Sequence, residues 1–89
     1  MFLLDGMRPA TNQEHEVTIK ELALADAIAQ NERDINRAHL MINRATLHIY
    51  DAQTDLEVEL WFGELKAAQV NLREEVALRA RLEARKAAL

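Results

Sequence analysis

The sequence predicts an all-helical fold, an antiparallel helical hairpin of two long helices, and three observations carry that prediction. Isoleucine recurs every seven residues at Ile28, Ile35, Ile42 and Ile49, and three residues after each come Asn31, Ala38, Ala45 and Ala52. A large residue at one seam position and a small one at the next mark a helix that lies close against another helix. No glycine or proline interrupts the run from Asn12 to Ala52. The third observation is the turn-prone segment Asp51-Ala52-Gln53-Thr54-Asp55, which divides the helix-forming chain into two.

Size sharpens the expectation. Eighty-nine residues make one domain at most, and so short a chain buries a modest fraction of its surface. Without cysteine it has neither a disulfide staple nor a thiolate metal site. Oligomerisation is the remaining common remedy. The hairpin is therefore expected to dimerise into a four-helix bundle or a coiled-coil-like assembly, against the alternative of a compact monomeric bundle.

Residues 1–10 read as an irregular arm, because Gly6 and Pro9 oppose a regular helix. Its apolar trio Phe2, Leu3 and Leu4 can fold back onto the body or dock on a partner. Residues 11–89 form the hairpin domain, with a first helix over about 12–51. Thr11-Asn12-Gln13-Glu14 and Thr18-Ile19-Lys20-Glu21 both fit a capping box, in which the threonine oxygen accepts from the N–H three residues on. The acids Glu14, Glu16, Glu21 and Asp26 precede the bases Arg33, Arg37 and Arg44, an order that suits the helix dipole.

The second helix is expected over about 55–88, opened by a third capping box at Thr54-Asp55-Leu56-Glu57. Asp55, Glu57, Glu59 and Glu64 fill its first part, and Arg79, Arg81, Arg85 and Lys86 its end, again in dipole order. A rival reading makes 56–62 a strand, since Leu56-Glu57-Val58-Glu59-Leu60-Trp61-Phe62 nearly alternates, with 46–50 as its hairpin mate. Only Val58 in that run is β-branched, and leucine and glutamate favour helix.

A turn centred near Gln53 sets the pairing. Ile49 meets Val58, Ile42 meets Leu65 and Ile35 meets Leu72, while Ile28 extends the seam. Ala45 falls opposite Trp61 and Phe62, Ala38 opposite Ala68, Asn31 near Val76 and Leu24 near Leu82. This register leaves apolar side chains over. Leu60, Trp61 and Phe62 are consecutive and fan around a helix, as do Leu40, Met41 and Ile42, and one seam cannot cover them.

That surplus is where the sequence touches function. The expected role is a non-enzymatic protein–protein interaction module, a small adaptor or inhibitor of the kind phages and mobile elements encode, acting by covering or bridging a partner surface. Its contact residues would be Leu40, Met41, Leu60, Trp61 and Phe62, toward a second copy of the chain or an unidentified protein partner. Tryptophan is favoured at interface centres, although Trp61 equally fits the internal seam. Asn31 among apolar seam residues would fix register.

Other classes find less support. A formal charge of −4 with both signs interspersed argues against nucleic acid as a partner and against a DNA mimic. The alternative functions are a dimeric nucleic-acid-binding regulator using Arg79, Arg81, Arg85 and Lys86, and a structural coiled-coil part of a larger assembly. The spacings of His15, His39 and His48 do not place two ligands on one helical face, so no metal is expected. Catalysis lacks a cysteine or serine nucleophile and a glycine-rich phosphate loop, so neither enzyme activity nor a cofactor is expected. No stretch reads as a membrane span, and the start Phe2-Leu3-Leu4 is too short for a signal sequence. The expected location is the cytoplasm.

Overall fold

The structure, a computed structural model, describes the backbone of residues 12–89 and the side chains of residues 16–89. Two helices make up these residues, α1 (Asn12–Asp51) and α2 (Asp55–Ala87), and they pack against each other. At 1.5 Å per residue they are about 60 and about 50 Å long. The bounds agree with the sequence reading. The stretch 56–62 lies inside α2, so the strand alternative falls: the helix propensity of leucine and glutamate, with packing on one side, outweighs the alternation.

The turn is closed by local chemistry. The Ala52 N–H donates to the Ile49 carbonyl at 3.2 Å, winding off the end of α1. Thr54 has extended backbone (φ −134°, ψ 156°), and its hydroxyl accepts from the Glu57 N–H at 3.2 Å. The same hydroxyl donates to the Glu57 carboxylate at 3.4 Å, so the threonine half of the expected capping box forms, with Glu57 bonded to the hydroxyl instead of the Thr54 N–H. Asp55 and Glu57 occupy the first turn of α2, Arg85 and Lys86 the last, each opposing the local end of the dipole. Of the two candidate starts for α1, Thr18-Ile19-Lys20-Glu21 lies well inside the helix. The box at Thr11 and the arm at 1–10 lie outside the described residues.

Register is read from contacts that cross between the helices. The Asn31 amide donates to the Glu75 backbone carbonyl at 2.8 Å and to its carboxylate at 3.0 Å. Toward the turn, Ala38 and Ala68 line one shallow groove and His48 stacks on Trp61. These contacts agree with the expected antiparallel pairing and correct one step of it: Asn31 meets Glu75, whereas Val76 is 52% exposed. Val76 follows Glu75 by one residue, and a rotation of about 100° carries it off the seam.

On α2, the covered residues Trp61, Leu65, Ala68, Leu72, Glu75, Arg79 and Leu82 lie four and three apart, as a coiled-coil seam requires, with Leu78 also covered beside them. On α1 the matching series is Leu24, Ile28, Asn31, Ile35, Ala38, Ile42, Ala45 and Ile49, flanked by the half-buried Val17, Ala27, Ala29, Asp34 and Met41. The core is thin. The fully covered apolar side chains are Ala38, Ala45, Ala68 and Leu82, while Ile28, Ile35, Ile42, Ile49, Leu65 and Leu72 are only half-buried. Two helices have one shared face, and a long side chain placed there keeps an edge in water.

Candidate interaction surface

The five side chains expected to make contacts do not form one patch. Trp61 turns into the seam and is half-buried. Its ring lies under the His48 imidazole, with centroids 4.0 Å apart and planes 8° from parallel, and the Arg44 guanidinium sits 5.9 Å from its centre. His48 and Arg44 are one turn apart on α1, so both reach across to α2 from the same flank. Leu60 and Phe62, one residue to either side of Trp61, remain 61% and 47% exposed. Phe62 carries the Lys66 ammonium 4.7 Å from its ring centre. Leu40 is exposed on the outside of α1, and Met41 is half-buried beside the groove it shares with Ala38, Ala67 and Ala68.

Half of the exposed large apolar side chains among the described residues, the others being Ile19, Leu22, Val58, Phe62, Val76 and Leu89, align on two stripes. On α1, Leu40, Leu47 and Tyr50 are exposed at spacings of seven and three, which align them on the side away from the seam. On α2, Leu56, Leu60 and Val70 are exposed, and with Gly63 and Ala67 they run at spacings of four, three, four and three. That is a second heptad stripe on the back of α2, offset from the seam positions by two residues and hence turned roughly 160–200° from them. The signal was present in the sequence, hidden by reading Leu60-Trp61-Phe62 as a cluster instead of as members of different stripes.

The basic end of α2 is divided. Arg79 occupies a seam position, where its guanidinium bonds the Glu83 carboxylate at 2.9 Å and reaches Glu32 of α1 at 3.7 Å. Lys86 and Arg85 line separate grooves at the open end of the hairpin, and Arg81 is exposed. The four bases expected to act together thus spread around the helix. Among the described residues, no three side chains with metal-ligating groups come together, and no helix is long and apolar enough to cross a membrane.

Fold and surface define a class, the antiparallel helical hairpin with exposed apolar side chains on the outside of each helix. Compared with known proteins, the chain matches no family model, no curated protein and no solved structure.

Proposed function

We propose that this chain is a non-enzymatic protein–protein interaction module that associates first with itself, and that it acts as a small adaptor or inhibitor by covering or bridging a partner surface. The observation carrying this reading is the inverted distribution of apolar side chains. The fully covered apolar positions are three alanines and one leucine, while Leu40, Leu47, Tyr50, Leu56 and Leu60 are 61–87% exposed. Burial is worth about 25 cal/mol per Å² of apolar surface removed from water. A hairpin that leaves these large apolar groups outside can bury them by association, and contiguous exposed apolar surface marks interaction sites.

Sedimentation equilibrium from micromolar to millimolar concentration, with helicity recorded on the same samples, tests the reading. The expected result is a mass that rises above that of the monomer, and that returns to it when Leu47, Tyr50, Leu56 and Leu60 are replaced by glutamate with helicity retained. A chain that stays monomeric over the whole range overturns it.

A further inference from the structure

The reading that the chain self-associates leaves open which face is used, and α2 carries two features that choose one. The first is the arrangement of its outer stripe. Leu60, Gly63, Ala67 and Val70 lie five and two residues before, and two and five residues after, position 65. Over these four positions the order large, small, small, large is the same read from either end, while Leu56, the outermost member of the stripe, falls opposite Glu74. A twofold contact between antiparallel helices needs such a palindrome, because it sets residue i against residue j and residue j against residue i.

The second feature is charge. From Asp55 to Glu64 the helix carries four acids and no base, and from Leu65 to Arg73 it carries Lys66 and Arg73 and no acid. Turned end for end about position 65, residues 55–64 of one copy lie along residues 66–75 of the other, which carry Lys66 and Arg73 and, at their far end, Glu74 and Glu75. Glu59 and Arg73, both exposed, flank the stripe on the same side and become neighbours across the contact. A parallel arrangement would instead set acid on acid.

Gly63 fits this scheme and little else in the hairpin. It lies mid-helix with ordinary helical φ, and a Cβ built on it would meet nothing within 4 Å. The hairpin itself therefore does not need a glycine there, although glycine weakens a helix interior. With Ala67 one turn on, it forms the smallest part of the outer stripe, where a second backbone can come close. Ala67 also borders the groove lined by Ala38 and Met41 of α1, whereas Leu60, Gly63 and Val70 are exposed.

We propose that two copies of this chain pair through the outer faces of their α2 helices, antiparallel, crossing at Gly63 and Ala67, with Leu60 against Val70 and Glu59 beside Arg73 of the second copy. The assembly is four helices side by side, α2 with α2 at the centre and α1 on each outside, and differs from a square bundle in leaving the backs of α1 free for further partners.

The test uses the full chain and compares dimer dissociation constants by sedimentation equilibrium. Gly63→Leu replaces a poor helix former with a good one, so helicity is kept or raised, while the new side chain holds the two backbones apart. The dimer should weaken by at least roughly tenfold. Glu59→Arg and Arg73→Glu should each weaken it several-fold, more at low salt than at high, and the double variant should recover most of the loss. A dimer that survives Gly63→Leu at its original strength, or a double swap that recovers nothing, overturns the proposed face while leaving self-association standing. A chain that is monomeric before any substitution overturns both.

Discussion

Asn31 of α1 donates its amide to the backbone carbonyl and the carboxylate of Glu75 on α2, at 2.8 and 3.0 Å, across the middle of an otherwise apolar seam. Asn31 is 1% exposed, and its own carbonyl oxygen, also buried, has no hydrogen-bond partner. The residue thus adds two bonds and strands one acceptor. Such a residue contributes less to stability than to the choice among registers, since sliding α2 by a heptad sets Ala68 or Leu82 opposite it in place of Glu75.

Two substitutions separate those effects. Asn31→Ala removes both bonds and leaves a gap, and should lower unfolding free energy by about 1–2 kcal/mol. Asn31→Ile removes the stranded acceptor and continues the isoleucine stripe, so its thermal midpoint should be at or above that of the wild type. The cost should appear as a broader transition or mixed association states. Thermal melts monitored by helicity, with sedimentation on the same variants, read both. A neutral Asn31→Ala would show that the cross-helix bond does not matter.

Ala38 and Ala68 are 1% and 9% exposed and set how near the helices come. Both sit where α1 and α2 face each other beside a groove, so a larger group at either presses on the opposite helix. Ala38→Leu and Ala68→Leu should each cost about 1–3 kcal/mol despite leucine's good helix propensity, read as a lower denaturation midpoint. Ala67, one residue along and exposed, provides the control: Ala67→Leu should leave the hairpin's own stability within about 0.5 kcal/mol. Equal effects at 67 and 68 would contradict the assigned seam.

Much of this fold was legible in the sequence, and the failures have physical reasons. The isoleucine spacing, the Thr54 cap and the unbroken run to Asp51 define α1, the turn and α2, because each is a local property of the chain. Asn31 was visible as a seam residue, but Glu75 as its partner was not, since a glutamate reads as solvent-facing until the register is known. His48 lies off the isoleucine stripe and is exposed. Its contact with Trp61 depends on the flank of α1 that faces the ring, which only the pairing of the helices reveals. The outer stripe of α2 was hidden for a related reason: its members alternate with seam residues, and consecutive apolar residues obscure both periods.

The His48–Trp61 stack gives a spectroscopic prediction. Removing the imidazole by His48→Ala uncovers one face of the indole, so Trp61 emission should shift to longer wavelength. An aromatic pair contributes about 0.5–1.5 kcal/mol beyond area burial, and the exposed edge of this one sets the expected loss near the lower end. Trp61→Ala should cost more, on the order of 2 kcal/mol, because the ring also covers the seam beside Ala45. An unchanged emission spectrum in His48→Ala would mean that the stack does not persist in solution.

The arginines of α2 separate a structural role from a phosphate-binding one. Arg79 is held by Glu83 and Glu32, so a phosphate would have to displace two carboxylates to reach it. Arg81, Arg85 and Lys86 are exposed, with Arg81 and Arg85 on one side of the helix and Lys86 on another. Arg79→Ala should therefore destabilise the hairpin by up to about 1 kcal/mol, the range of a partly exposed ion pair, whereas the triple replacement of Arg81, Arg85 and Lys86 by alanine should change stability little. A duplex DNA titration at low and physiological salt decides the matter. Contacts to several phosphates would produce an affinity that falls steeply with salt and vanishes in the triple variant. The expected result is no saturable binding at either salt concentration, because bases spread around a helix that also carries Glu74, Glu75 and Glu83 present no continuous positive face. Steep, saturable binding abolished by the triple replacement would revive the nucleic-acid reading and move the functional surface from the turn-proximal apolar stripes to the open end of the hairpin.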